Sequence, residues 1–309
     1  MQSSTPVMTA SSWRLLIGLS ILWGGSFFFY KVLVGALPPF TVVLGRLGFA
    51  AIALNLILLA MKERMPPSPR LWGGFLVLGF FNNALPFCLF AYSELRLTSG
   101  MAAILNATTP VFAVLLASTL KTGERMTPGR AMAVLFGFLG VIVLVGPNAL
   151  SGSGHSGELL SEAACLGATM CYAVGGFYGR RFGHLSSMKV ATGQVTAAAV
   201  LVLPLAAIFD RFWTLPMPAL PVWGALAGIS LVCTAAAYVL FFTLLKRAGT
   251  TNLLLVTFLV PISALSLGAV FLHEPLAPTA LAGMALIGLS LAALDGRPAV
   301  WLRMRLKPA

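Results

Sequence analysis

Arg46 sits where a charge is least expected, inside the apolar run 40–60. A guanidinium in hydrocarbon is costly, so it must turn toward protein or water. Three uses are open to it. It could hold the carboxylate of a substrate. It could pair with Glu162 in the run 157–179 and gate a cavity, or it could snorkel to the headgroups. Three prolines, Pro86, Pro110 and Pro261, also fall inside long apolar runs. Proline lacks the amide that would bond the carbonyl four residues earlier. Those carbonyls belong to Asn82, Asn106 and Thr257, each with a polar side chain. Hydrocarbon cannot satisfy a freed carbonyl, so these positions should meet protein or a wet cavity. The competing reading is that the prolines only curve helices for packing. Aromatic residues fall at a similar depth: Trp23 and Phe27, Tyr172, Tyr238 and Phe258. A large ring with a single donor suits a partly apolar solute, although such rings also pack and face lipid in any span. Trp23, Arg46, Asn82, Asn106, Pro110, Tyr172, Tyr238, Thr257, Phe258 and Pro261 are therefore the expected substrate-binding residues.

The missing residue types narrow the chemistry. The sequence has no His-x-x-x-His pair, no Asp-rich cluster and no phosphate-binding glycine loop with lysine. Intramembrane hydrolases and prenyl transferases need such groups, so no catalytic residue, cofactor or metal is expected and the chain does not read as an enzyme. Cys88, Cys165, Cys171 and Cys233 all lie in apolar runs, without metal-site or disulfide spacing. No acidic residue falls at the middle of a span. A proton-coupling carboxyl would have to be Glu162 or Glu274.

These residues can only be positioned by membrane-spanning helices. Of 309 residues, 59% are apolar and 9% are charged, against about 25% charged in a soluble domain. Each span takes about 20 apolar residues. Ten fit, at 13–33, 40–60, 71–93, 99–120, 129–146, 157–179, 188–209, 221–245, 250–272 and 278–295. The fold class is an all-α membrane protein with no soluble catalytic domain. Turn signals such as Pro38-Pro39, Thr127-Pro128 and the run 151–154 separate the spans. No cleavable signal is evident, because the apolar run from Trp13 exceeds signal-peptide length.

The net charge of +12 could indicate a nucleic-acid partner, but its distribution argues otherwise. With the N-terminus inside, 16 Lys and Arg fall on the inner side, 3 on the outer side (Lys31, Arg96, Arg211), and Arg46 within a span. This is the positive-inside asymmetry. It predicts an inner (plasma) membrane protein with both termini cytoplasmic. Membrane lipid then accounts for the basic charge, and no nucleic acid is expected.

The sequence also repeats. At an offset of 151, Trp72-Gly73 falls on Trp223-Gly224 and Pro110 on Pro261. With one gap, Glu124 falls on Glu274 and Pro128 on Pro278. Each half holds five spans, an odd number, so the second copy is inverted. The expected units are 13–146 and 157–295, followed by a basic tail at 296–309. Leu22-Trp23-Gly24-Gly25-Ser26, Arg46, Pro110, Gly123-Glu124 with Pro128, and the later Pro261, Glu274 and Pro278 together resemble the drug/metabolite transporter superfamily, in particular the EamA-type ten-helix transporters. The second half departs from the first, with Gln194 where Arg46 would recur and His273-Glu274 in place of Gly123-Glu124.

The resemblance implies a secondary transporter of small solutes such as amino acids or their metabolites. With the polar and proline pattern, it points to a site among the first, third, fourth, sixth, eighth and ninth helices, worked by alternating access. An exporter is the leading expectation. An importer of the same architecture and a non-transporting scaffold or sensor are the rivals. Glu124 and Glu274 are expected to complement the positive end of the helix that follows each. Gly175-x-x-x-Gly179 and Gly224-x-x-x-Gly228 could serve close contacts within one protomer or a homodimer.

Overall fold

The computed structural model describes residues 9–119, 127–150, 156–253 and 255–295. Among these residues the chain is helical and without strands. The helices are α1 Ala10–Val34, α2 Pro39–Ala60, α3 Pro69–Ser93, α4 Ser99–Thr119, α5 Pro128–Leu150, α6 Ser156–Gly179, α7 Ser187–Asp210, α8 Leu220–Gly249, α9 Val256–Phe271 and α10 Pro278–Asp295. Eight are long and apolar enough to cross a membrane, and two shorter apolar helices, in α9 and α10, bring the bundle to the expected ten. Glu124, Gly123, the turn at 151–154 and the basic tail 296–309 lie outside the described residues.

The starts and stops follow local chemistry. Prolines stand at the first positions of α2 and α3, where no amide is needed. The Thr9, Thr98 and Ser186 hydroxyls accept amides in the first turns of α1, α4 and α7. Left-handed residues close three others: Lys62 after α2, Arg211 after α7 and His273 after α9.

Hydrogen bonds between loops show which helix ends share a face. Arg247 donates to Ser11, and Glu63 meets Ser186 and Lys189, on what is here the near face. On the far face, Lys31 donates to the carbonyls of Glu94 and Leu97. There Asp210 accepts from Thr41, and Glu274 accepts from Ser99. Packing is reciprocal under the exchange of each helix for the one five later. α1 packs on α8 and α9 as α6 packs on α3 and α4, while α2 meets α7 and α5 meets α10. Both α3 and α8 widen into π-helix, at Phe80–Ala84 and Gly228–Ala236. These are the features of two five-helix repeats inserted in opposite senses.

The outside of the bundle is apolar. Ile52, Leu56, Leu59, Ile142 and Phe271 are each at least 59% exposed, a surface that only lipid solvates well. Leu16, Leu47, Leu54, Ile104 and Phe90 fill the core. Where backbones approach closely, glycine is required. A Cβ on Gly24 would stand 2.6 Å from the Ser263 Cβ of α9, and one on Gly79 would stand 2.5 Å from the Gln194 carbonyl oxygen of α7. The second contact brings the polar turn of α3 against α7.

Candidate functional site

The polar core of the bundle forms around the π-turn of α3. Pro86 has no amide to donate, and just before it the helix widens so that the Leu85 amide bonds the Phe80 carbonyl, five residues back. Such turns carry one extra residue and often mark functional sites. Here the turn presents two consecutive asparagines. Asn82 Nδ2 donates to Gln194 Oε1 on α7 at 2.9 Å, and Asn83 Nδ2 donates to the Tyr238 hydroxyl on α8 at 3.1 Å. Gln194 Nε2 donates to the same hydroxyl at 3.2 Å. Four side chains from three helices thus form one network, with the Asn83 Oδ1 buried and unpartnered.

Arg46 lies in the same core, 5% exposed. Its Nε donates to Thr234 Oγ1 at 3.0 Å, inside the π-segment of α8. The guanidinium carbon stands 3.6 Å from the centroid of Phe87 and 5.0 Å from that of Tyr30, within cation–π range. The buried Tyr30 hydroxyl lies beside the guanidinium, and the buried Ser26 hydroxyl one turn earlier lies beside the Cys233 thiol. Arg46 makes no ion pair among the described residues, so the pairing with Glu162, one of the three uses open to it, is not formed. Nor does it snorkel, since its side chain is enclosed. A fixed cation ringed by aromatic faces and hydroxyls, with no acidic partner among the described residues, is equipped to receive a carboxylate, because charge-assisted bonds to guanidinium are strong and directional.

The expected site residues divide into two groups. Arg46, Asn82 and Tyr238 join the polar core. The Tyr172 ring packs 5.9 Å from Phe90, which in turn meets Phe27. Trp23 packs 5.5 Å from Phe241, three positions beyond Tyr238 on α8. The second group lies between α4, α9 and α10. α4 breaks at Ala107 and Thr108, just ahead of Pro110. The Asn106 carbonyl that Pro110 leaves open is taken by the Thr109 hydroxyl at 2.8 Å, while the Asn106 Oδ1 stays buried and unpartnered. α9 by contrast runs unbroken through Pro261, so the two prolines do not act alike. Thr257, Phe258 and Pro261 border a cavity of about 30 Å³ with Ile104 and Ala107, which is room for a single water.

Asn83, Thr234, Tyr30 and Phe87 were not singled out by sequence reasoning. The repeat held a signal for two of them. Asn83 falls on Thr234 at the offset of 151, a polar residue on a polar residue within apolar runs. Gln194 was noted only as a departure from Arg46, yet both reach across to the π-turn of the opposite half.

Glu274 corrects another expectation. It does not complement α10, the helix that follows it. Its carboxylate accepts from the Ser99 amide at 2.9 Å, the Ser99 hydroxyl at 2.7 Å and, more loosely, the Gly100 amide at 3.5 Å, at the start of α4. The left-handed His273, φ 54°, turns the chain so that the carboxylate faces α4. The glycines of the two Gly-x-x-x-Gly pairs work within the protomer at two positions, Gly175 against Asn82 and Gly228 against Phe29. No three of His, Cys, Asp and Glu gather as a metal site among the described residues.

The sequence matches the EamA-like transporter family twice, over residues 6–146 and 159–294. The chain belongs to that family. Among curated relatives, the transporter YvbV of Bacillus subtilis (strain 168) is 28% identical over 88% of this chain and 88% of its own. Protein PecM of Dickeya dadantii (strain 3937) is 27% identical over 93% of each. A protein of Escherichia coli (strain K12) named a probable amino-acid metabolite efflux pump is 23% identical over 86% of this chain and 89% of that one. A crystal structure shares the fold with a TM-score of 0.66 at 19% identity, covering 97% of this chain and 99% of the other. The protein is a multi-pass membrane transporter of the EamA family, and its fold places Arg46, Asn83 and Thr234 inside the bundle rather than on its lipid face.

Proposed function

We propose that this EamA protein exports small carboxylate-bearing metabolites, amino acids or close relatives, across the inner membrane by alternating access. The observation that carries the reading is Arg46: buried, bonded to a neutral threonine and two aromatic rings, and without an acidic partner among the described residues. An enclosed cation without a counter-charge is costly, and a substrate carboxylate removes that cost. The amides of Asn82, Asn83 and Gln194 and the Tyr238 hydroxyl supply donors and acceptors for an amine or hydroxyl on the same solute. The Escherichia coli relative named an amino-acid metabolite efflux pump supports the substrate class and the direction. The basic loops at residues 61–70 and 180–189 support a cytoplasmic near face by the positive-inside rule.

The test is flux in proteoliposomes loaded with pooled amino acids. The parent is expected to release carboxylate-bearing solutes, and Arg46→Gln to lose that release while keeping its yield and its elution as a folded protein. Release by Arg46→Gln equal to the parent refutes the carboxylate reading. Reporter fusions after residues 62 and 181 are expected to score cytoplasmic and a fusion after residue 216 external; the reverse refutes the orientation.

A further inference from the structure

Glu94 stands just beyond α3 at the far face, and it is 0% exposed. Neither carboxyl oxygen has a hydrogen-bond partner. The adjacent lysine does not serve it: Lys31 Nζ spends its bonds on the carbonyls of Glu94 and Leu97, 2.8 Å each. The charged and titratable groups around this carboxyl come from every packed element. They are Lys31 and Tyr30 of α1, Arg46 of α2, Cys165 and beyond it Glu162 of α6, and Glu274 of the α9–α10 loop. Arg96, two residues on, lies against Gly157 of α6. Glu274 uses its charge on the amides of Ser99 and Gly100. Lys31 and Arg46 are held by carbonyls, a hydroxyl and rings. Glu94 is left with nothing to bond its oxygens, in a loop whose Leu97 is also buried, next to the buried Ser99 and Gly100.

A carboxylate cannot stay ionised in such a setting without partners. We propose that Glu94 is the proton-binding site of this transporter: it holds a proton while the far face is sealed and gives it up when α4 and the Glu274 cap move aside. Only one O–H bond breaks and re-forms. The proton passes to water on the open side, and the carboxylate left behind is then solvated beside Lys31. Movement of α4 is what exposes the group, so proton release and opening of the far face become one event. The cycle then depends on the pH of the far side, because the far face cannot reseal until Glu94 has taken a proton back from that side.

This inference rests on the reading of the chain as a transporter, and its first test does not. Infrared difference spectra of the purified protein in nanodiscs, parent minus Glu94→Gln, are recorded at neutral pH. The expected result is a carbonyl band of an un-ionised carboxylic acid in the parent that Glu94→Gln removes and Glu94→Asp retains in shifted form. A carboxylate signature in its place overturns the proposal. The second test uses liposomes loaded with pooled amino acids and a pH-sensitive dye. A pH gradient is expected to change parent flux several-fold and to leave Glu94→Gln indifferent; an equal response in both overturns the coupling. Should the pooled solutes not move in the parent, the amino-acid reading falls, while the infrared spectra still decide the state of Glu94.

Discussion

Replacing Glu274 by alanine removes the carboxylate that ties the α9–α10 loop to the first turn of α4. The bonds lost are those from the Ser99 amide and hydroxyl, 2.9 and 2.7 Å, with the long 3.5 Å contact to Gly100 adding little. Ser99 is 0% exposed, so water cannot replace the carboxylate while the face is closed. Losing a cap of this kind costs about 0.5–2 kcal/mol, and losing a negative charge at a helix start costs about 0.3–1 kcal/mol. The closed arrangement should therefore weaken by about 1–3 kcal/mol, or roughly 5–150-fold in its equilibrium with the open one. Glu274→Gln keeps an acceptor and loses only the charge, so its effect should be the smaller term. Cys165 is the reporter. It is buried on α6 with its Sγ 3.5 Å from the Ala102 carbonyl of α4, so a thiol reagent reaches it only when α4 lifts. In a background where Cys88, Cys171 and Cys233 are alanine, Cys165 labelling should rise in the order parent, Gln, Ala. Labelling of Glu274→Ala at the parent rate would show that the cap does not hold α4 down.

Three further outcomes follow from the geometry. Tyr238→Phe strands the amide donors of Asn83 and Gln194, so thermal stability in detergent should fall by about 1–3 kcal/mol; a parent-like melting curve refutes the shared network. Pro110→Ala should close the break at Ala107 and Thr108, cutting amino-acid release in liposomes while expression survives, and undiminished release would make Pro110 a packing device. At the near face, the Lys189 ammonium and then the Ser186 hydroxyl hold the half-buried Glu63 below the ordinary carboxylate value of 4.5. A depressed carboxylate contributes stability above its unfolded value and loses it as the pH falls through the folded one. The stability difference between parent and Glu63→Gln should thus be present at neutral pH, close below pH 4.5 and shrink with salt; a difference that persists in acid refutes the ion pair.

The ten spans were legible because lipid imposes a length on every helix, and the repeat was legible because tryptophan and proline recur in order. The polar core was legible only in part. Asn82 and Tyr238 were found as polar groups in apolar runs, but their meeting through Gln194 joins residues 112 and 44 apart, a separation no local pattern encodes. Asn83 was missed for a different reason. A π-turn inserts one residue, so the inward face cannot be counted forward at 3.6 residues per turn. Glu94 was passed over as a loop residue because the sequence does not show that this loop is buried in the fold. Glu274 was assigned to the wrong helix because the left-handed turn at His273 that redirects it is not a residue-type signal.

The carboxylates at the helix starts also bear on how such a chain could arise. Asp210, at the end of α7, caps the start of α2 through Thr41, and Glu63, after α2, meets Ser186 and Lys189 at the start of α7. Glu274 in the second half caps α4 in the first. Each half thus relies on the other at some of its helix starts, so a duplicated ancestor that acquired these exchanges could no longer shed one copy. Cut between α5 and α6, the two pieces should be unstable when made singly and recover together when made in the same cell, each acting as the other's folding partner.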